Sequence, residues 1–514
     1  MTDAQLRSTI IDLGAHRGVR RLAHERVQLA LPPLEQMLSE GGDIRLALDP
    51  VTGRSRYGCT ARPDAGPADF GSATASIISR EGFAGAKRLR TQLAEADGRE
   101  PRSVTYAREL ERQRGELVGL CGLDGVEVVF AASGTDLHLI VADLMSGPAA
   151  SPTLCIDIEP RETGSGVPAA LAGLHFSGWT ALGAPVSEGA PVGPAGTEFA
   201  ALAARGPDGR LRPAAEVEAE LNAMSSTATH AGRKVLLTVA DVSKTGMISP
   251  GLDAVLALRE RFGDRVEVLI DACQFRIGPA TLAAYLAQGF LVAVTGSKFL
   301  SGPTFSGALL VPPQAAERFS ARLPHPGLRA YSARAEWPPA WVAAAALTDQ
   351  TNYGLLLRWE AALTELRVFR AMPETAVAAS ARAFADAVTA RLDADPRFER
   401  LETAPLDRSA LGVGGGWDEA ASIFPFLIRH ADGRYLSLAA NQDVYRGLMA
   451  NHVRLGQPVL CGERDGRPIS ALRLCNSARL LTEAADPQPI IARAMSALDA
   501  VIEAADEIGR MARV

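Results

Sequence analysis

Of the 53 basic residues in this chain only four are lysine, at positions 87, 234, 244 and 298. Arginine serves wherever a positive charge is merely needed. A retained lysine therefore marks work that arginine cannot do, such as losing its proton and attacking a carbonyl. Lys298 has the best setting for that chemistry. It follows the apolar run FLVAVT (290–295) and lies in Thr295-Gly296-Ser297-Lys298-Phe299, where a buried strand opens into a Gly/Ser loop. Lys87, in GAKRLRTQL, reads as a solvated helix charge, and Lys234 precedes a strand.

Asp271 closes the apolar run VEVLI, 27 residues before Lys298. It thus sits at the carboxyl end of a buried strand, the edge at which open α/β sheets bind ligands. A buried carboxylate needs a partner, and a pyridinium nitrogen is one. Gln274, three residues on, can reach another edge of the same ring. Ser133-Gly134-Thr135-Asp136 stands between the strand-like VEVVFAA and the helical LHLIVADLM. Small hydroxyl residues and a glycine at a helix start form an anion cradle. Singly these are a surface lysine, a strand-end turn residue and a helix cap. Together they supply an amine, a ring-nitrogen partner and a phosphate site, the three handles of pyridoxal 5′-phosphate (PLP).

Apolar runs of four to eight residues, including VEVVFAA, TLCIDI, KVLLTVA, VEVLIDA, FLVAVT and GALLVP, alternate with helical stretches from about residue 85. Such runs predict a mostly parallel sheet buried on both faces, hence an α/β domain. The spacing predicts an N-terminal helical arm and pocket-lining segment over 1–80 and the large domain over 81–330. A helical connection follows over 331–395, then a smaller α+β domain over 396–514 with strands at SIFPFLI and SALRLCN. Residues 185–212 and the loop GVGGGWDEA (412–420) are the candidates for flexible segments. The composition, 47% hydrophobic and 22% charged with a net charge of −6, offers no basic field for nucleic acid or membrane. No apolar run is long enough to span a bilayer, and MTDAQLRSTI lacks a signal-peptide pattern. Six scattered cysteines and eight histidines show neither CxxC nor HExxH spacing, so no metal site is expected and a cytoplasmic setting is.

DACQ (271–274) with TGSKFLSGPTFSGALLV (295–311) resembles the fold-type-I PLP enzymes, and within them the class V aminotransferase and cysteine desulfurase-like branch. The likeness runs from about 65 to 480 and implies the aspartate aminotransferase-like fold, with a large seven-stranded sheet. It implies Lys298 as the internal-aldimine lysine, Asp271 on the pyridine nitrogen and Gln274 on the phenolic oxygen. Thr135, Thr295 and Ser297 would hold the phosphate, beside Ser133 and Gly134. Thr351, 53 residues after Lys298, resembles the threonine a second subunit lends to the phosphate, which implies a homodimer with shared sites. Ser72-Ala73-Thr74 resembles a pocket-lining segment. Arg473 resembles the arginine that clamps the substrate carboxylate, its plainer reading being a strand arginine at the surface.

The departures bear on the reaction. Thr163, beside Glu162, stands where desulfurase-like relatives stack a histidine, and Ser297 where many have another. Ser243-Lys244 replaces an asparagine near the cofactor. Lys244 reads equally as a contact to an acidic substrate or as a solvated charge in the turn VSKTGMISP. The desulfurase cysteine would fall in a loop at RLGQPVLCGE (454–463), where alignment puts Val459, with Cys461 two residues off. The expectation is a PLP enzyme acting on an amino acid or other primary amine by transamination or lyase chemistry. The alternatives are a desulfurase or C–S lyase using Cys461, and a PLP-binding protein without turnover.

Overall fold

The apolar runs become strands. In the computed structural model, which describes residues 31–64, 68–148, 150–464 and 466–511, a short strand β1 (Ala68–Phe70) precedes the main series. β2 (Glu127–Ala131), β3 (Thr153–Ile158), β4 (Thr197–Leu202) and β5 (Val235–Ala240) follow. Then come β6 (Val266–Ala272), β7 (Leu291–Thr295) and β8 (Gly307–Val311). β9 (Phe398–Arg400), β10 (Ile423–Ile428), β11 (Val453–Arg464) and β12 (Arg467–Cys475) close the chain's strands. Residues 1–30 of the expected N-terminal arm lie outside the described residues; Leu34–Leu38 is helical.

Seven strands form the large sheet, in the order β2-β8-β7-β6-β5-β3-β4. All pairs among β3 to β7 are parallel, and β8 runs antiparallel to β7 and β2. The expected α/β sheet is therefore present, with one strand more than its apolar runs announced. That strand is β4, inside the segment 185–212 that was expected to be flexible. It pairs with β3 along its whole length at the sheet edge. Only its ends are buried, with Glu198 and Ala201 exposed between Thr197 and Leu202, so no continuous apolar run marks it.

Helices cover both faces. Leu137, Ile140 and Leu144 of the helix Gly134–Met145 join Leu236, Leu269, Leu291 and Leu309 in one buried cluster. At about 1.5–3 kcal/mol per fully buried large apolar side chain, such clusters fix the sheet. The latter part of the expected helical connection 331–395 is two helices, Tyr353–Arg370 and Glu374–Ala394, separated at Pro373. On the first, Trp359 meets Phe130 edge-on at 5.5 Å and donates to the Gly307 carbonyl at 3.1 Å. Its fully buried Arg358 donates to the carbonyls of Phe305 (2.6 Å), Leu38 (3.2 Å) and Gly41 (2.8 Å). One guanidinium thus holds residues 38–41 at the rim beside β8. Pro32–Val514 form one compact unit.

The second sheet has the order β1-β11-β12-β10-β9 and is antiparallel except between β1 and β11. It is not drawn from 396–514 alone, since β1 belongs to the N-terminal segment. RLGQPVLCGE, expected as a loop, is most of β11. Register shifts between Gly456 and Val459 and between Leu460 and Gly462 interrupt it, and Pro458 lacks a ladder donor. The helix Gln488–Met511 turns Ile490, Ala494, Leu498, Val501 and Ala505 onto this sheet at an amphipathic period. The glycine loop 412–420 is anchored. Trp417 stacks on Phe299 at 5.0 Å and 7°, and Asp418 accepts from the Gly278 amide (2.7 Å) and Thr281 (2.8 Å). Among the described residues no helix is long and apolar enough to cross a membrane, and no side-chain group could hold a metal ion.

Candidate active site

The carboxyl ends of β5, β6 and β7 open onto a cavity of about 270 Å³. Asp271, next to last in β6, turns its carboxylate to it. Oδ1 accepts from the Cys273 amide at 3.0 Å, and Oδ2 lies 3.6 Å from Nε2 of His138. Nδ1 of that histidine bonds the Gly134 carbonyl at 2.7 Å, which fixes the ring behind the carboxylate. Asp157 of β3 lies deeper. Burial, with the nearby Asp271 charge adding to it, pushes its carboxyl well above its ordinary range.

Lys298 follows β7 in a loop folded back on itself. Gly296 donates to the Ser306 carbonyl and accepts from Gly302, both at 2.9 Å. A Cβ on Gly296 would come within 2.4 Å of Ala362, so the lysine loop lies flat on the helix Tyr353–Arg370 only because residue 296 is glycine. The Lys298 carbonyl accepts from Ser76 at 2.8 Å, and its neighbour Phe299 is held under Trp417. The backbone is thus pinned on both sides while the amine faces the cavity.

Ser133 caps the helix Gly134–Met145, accepting from the Asp136 amide. A side chain at 134 would strike the Cys273 sulfur, at 2.7 Å from its Cβ, so the backbone needs glycine to approach the end of β6. On the far wall Ser297 donates to Thr295 at 3.2 Å, and Thr295 donates to the Cys273 carbonyl at 2.6 Å. The cradle has one element that sequence reading missed. Arg45, from the irregular N-terminal segment, donates to the hydroxyls of Thr135 at 3.2 Å and Ser133 at 3.4 Å. Its guanidinium pairs with buried Asp43 at 2.6 Å and lies over the Phe305 ring at 5.1 Å. No local pattern signals this contact across about 90 residues of chain.

At the opposite end stands Arg473 of β12, buried rather than at the surface. It donates to Thr74 (2.9 Å) and to the carbonyls of Gln457 (2.7 Å) and Lys244 (3.2 Å). Lys244 is not a solvated turn charge. Burial first, then the Arg473 and Lys298 charges, lower its pKa to about 8. Glu162, which the sequence offered only as the neighbour of Thr163, pairs with buried Arg205 at 2.8 Å and accepts from Ser243 at 2.8 Å and Thr245 at 2.6 Å. Thr163 gives its hydroxyl to Asp157 at 3.3 Å, and Gln274 donates to the Ala73 carbonyl at 3.1 Å.

Ser133, Gly134, Thr135, Thr163, Ser243, Lys244, Asp271, Gln274, Thr295, Ser297, Lys298, Thr74 and Arg473 all line this one cavity. Two expected residues do not. Ser72 is buried behind the wall, donating to the Asn476 carbonyl and accepting from Arg276, both at 2.8 Å. Thr351 precedes the helix Tyr353–Arg370, away from the cavity of its own chain. Cys461 is also absent from the lining, although Val459 is in it. The thiol packs among Leu401, Leu427, Ile469 and Ala471, and burial pushes its pKa up to about 11.

Neither a family model nor a curated protein matches the chain. Solved structures do. A cystine C–S lyase, C-DES, in complex with its reaction product cysteine persulfide has a TM-score of 0.51 at 14% identity, covering 84% of this chain and 98% of that one. A variant of C-DES with glycine covalently linked to the PLP cofactor gives 0.51 at 16%, over 84% and 99%. A glutamate decarboxylase domain from Vibrio parahaemolyticus gives 0.50 at 13%, over 86% and 81%. The chain has the fold of the fold-type-I PLP-dependent enzymes.

Proposed function

We propose that this protein is a PLP-dependent enzyme acting on an amino acid or other primary amine, by transamination or lyase chemistry. One observation carries the reading: a strand-end lysine, a strand-end carboxylate and an anion cradle line a single cavity at the carboxyl edge of a parallel sheet. The residues fit the cofactor. Lys298 would hold its aldehyde, Asp271 its ring nitrogen and Gln274 its phenolic oxygen. Ser133, Gly134, Thr135, Thr295 and Ser297 would hold the phosphate, with Arg45 as the cation among uncharged donors. Bound PLP supplies a protonated ring that stores the charge left at the substrate carbon. Arg473 orients the substrate carboxylate, and the freed Lys298 amine moves the proton at the α-carbon. In a homodimer, Thr351 serves the phosphate of the second copy.

Borohydride reduction of PLP-loaded protein, followed by peptide mass spectrometry, tests the reading. A pyridoxyl phosphate adduct on Lys298, lost in Lys298→Ala together with the visible absorption band, is the expected result. An adduct elsewhere, or none, overturns it. Titrating the loaded protein with a panel of amino acids then separates transamination from elimination by product.

The second reading is C–S lyase chemistry of the kind performed by the cystine lyase that shares the fold. Its form with Cys461 as nucleophile is disfavoured, because a buried thiol with a raised pKa carries little thiolate. Binding without turnover is disfavoured by the joint presence of Lys298, Asp271 and Arg473 in the cavity.

A further inference from the structure

Two cations line the substrate end of the cavity, and neither forms an ion pair among the described residues. The Arg473 guanidinium reaches the Lys244 carbonyl at 3.2 Å, so the two residues are physically tied. Its Nε has no partner, and no carboxylate among the described residues forms an ion pair with it. Among the described residues the Lys244 ammonium group donates one hydrogen bond, to the Pro160 carbonyl at 3.4 Å. Glu162, the carboxylate whose charge bears on Lys244, is already engaged: Oε1 takes the Arg205 guanidinium, and Oε2 takes the hydroxyls of Ser243 and Thr245. Glu162 and Arg205 cancel each other, which leaves Lys244 and Arg473 as net positive charge in a largely desolvated pocket. Buried charges without partners are costly. A protein that keeps only four lysines has placed one of them there.

From this pair we infer that the substrate carries a second anionic group, bound by Lys244, in addition to the carboxylate assigned to Arg473. The inference rests on the PLP reading and narrows it to acidic amino acids. A carboxylate and a sulfonate present the same chemistry to an ammonium group, which binds as a point charge. The charged groups facing Lys244 are Arg473, Lys298 and Glu162. With a pKa of about 8, its charge is present below that pH and fades above it. Binding of the second anion should therefore weaken as pH rises through 8.

Unreactive probes separate binding from turnover. PLP-loaded protein is titrated calorimetrically with succinate, with 3-sulfopropionate and with butyrate, a monoanion of similar length. Succinate or 3-sulfopropionate should bind about ten- to hundredfold more tightly than butyrate, and the tighter of the two identifies the anion. In Lys244→Met that preference should collapse while butyrate binding persists, which also shows that the variant is folded. Lys244→Arg should retain the preference and lose its decline near pH 8. Equal binding of dianions and butyrate by the unaltered protein overturns the inference, as does an undiminished preference in Lys244→Met. Absence of the lysine-bound cofactor band before any titration overturns the PLP reading, and this inference with it. A normal band without dianion preference overturns only this inference.

Discussion

Arg45 allows cofactor binding and fold stability to be separated in one experiment. Replacing it by Met removes the guanidinium that reaches Ser133 and Thr135, and with it the cation of the proposed phosphate cradle. Hydrogen bonds to charged groups contribute about 1.5–3 kcal/mol, and about 1.4 kcal/mol corresponds to a factor of ten in affinity. PLP should therefore bind about 10- to 100-fold more weakly. Pyridoxal, which has the ring and aldehyde but no phosphate, should bind as before. The same substitution strips Asp43, whose side chain is 2% exposed, of its partner. Breaking a buried pair costs about 3–5 kcal/mol. The lower end is expected here, because the backbone amide of residue 45 still donates to Asp43 Oδ1 at 2.9 Å. In the double variant Asp43→Asn, Arg45→Met the buried carboxylate is gone, so thermal stability should recover while the PLP deficit remains. Absorbance titrations with PLP and pyridoxal, alongside thermal melts, read both quantities. Equal weakening of the two ligands, or native PLP affinity in the double variant, would refute the phosphate role.

Cys461→Ala should leave any sulfide or persulfide production intact and lower stability by only about 1–2 kcal/mol. Loss of that activity in a folded variant would restore the cysteine as nucleophile. Arg408→Met should destabilise the protein strongly. It removes the ion-pair partner of Asp241, a fully buried carboxylate that Arg408 grips at 2.6 and 2.8 Å at the end of β5, and leaves it the Tyr285 hydroxyl at 2.7 Å. The expected loss is about 3–5 kcal/mol by urea unfolding, largely recovered in Arg408→Met, Asp241→Asn; an unchanged midpoint for the single variant would contradict this electrostatic account.

What the sequence disclosed follows the burial of each element. β2, β3, β5, β6, β7 and β8 have both faces covered, β2 even at a sheet edge, so their residues are apolar in continuous runs and their ends are legible. Lys298, Asp271 and Ser133-Gly134-Thr135 sit at such ends and were found with them. β4 escaped because an edge strand can afford Glu198 on an open face, and β11 because two register shifts and Pro458 break its pattern. The placement of Arg45 beside Thr135 depends on Arg358 pinning residues 38–41, a contact between distant parts of the chain that no local periodicity encodes. Lys244 shows the same limit: the turn was visible in sequence, whereas its position on a cavity wall depends on how β12 packs.

The partition of the lysines also has a practical side. Lys87 and Lys234 are exposed, and Lys244 and Lys298 face the cavity. With Lys87→Arg and Lys234→Arg, the lysine amines remaining in the chain are both inside the candidate active site. Isotopically labelled lysine would then report from that site alone, giving one resonance for the amine expected to be modified and one for the amine expected to titrate. Amine-directed reagents, which on most proteins decorate the surface, would then find their lysine targets only inside this one.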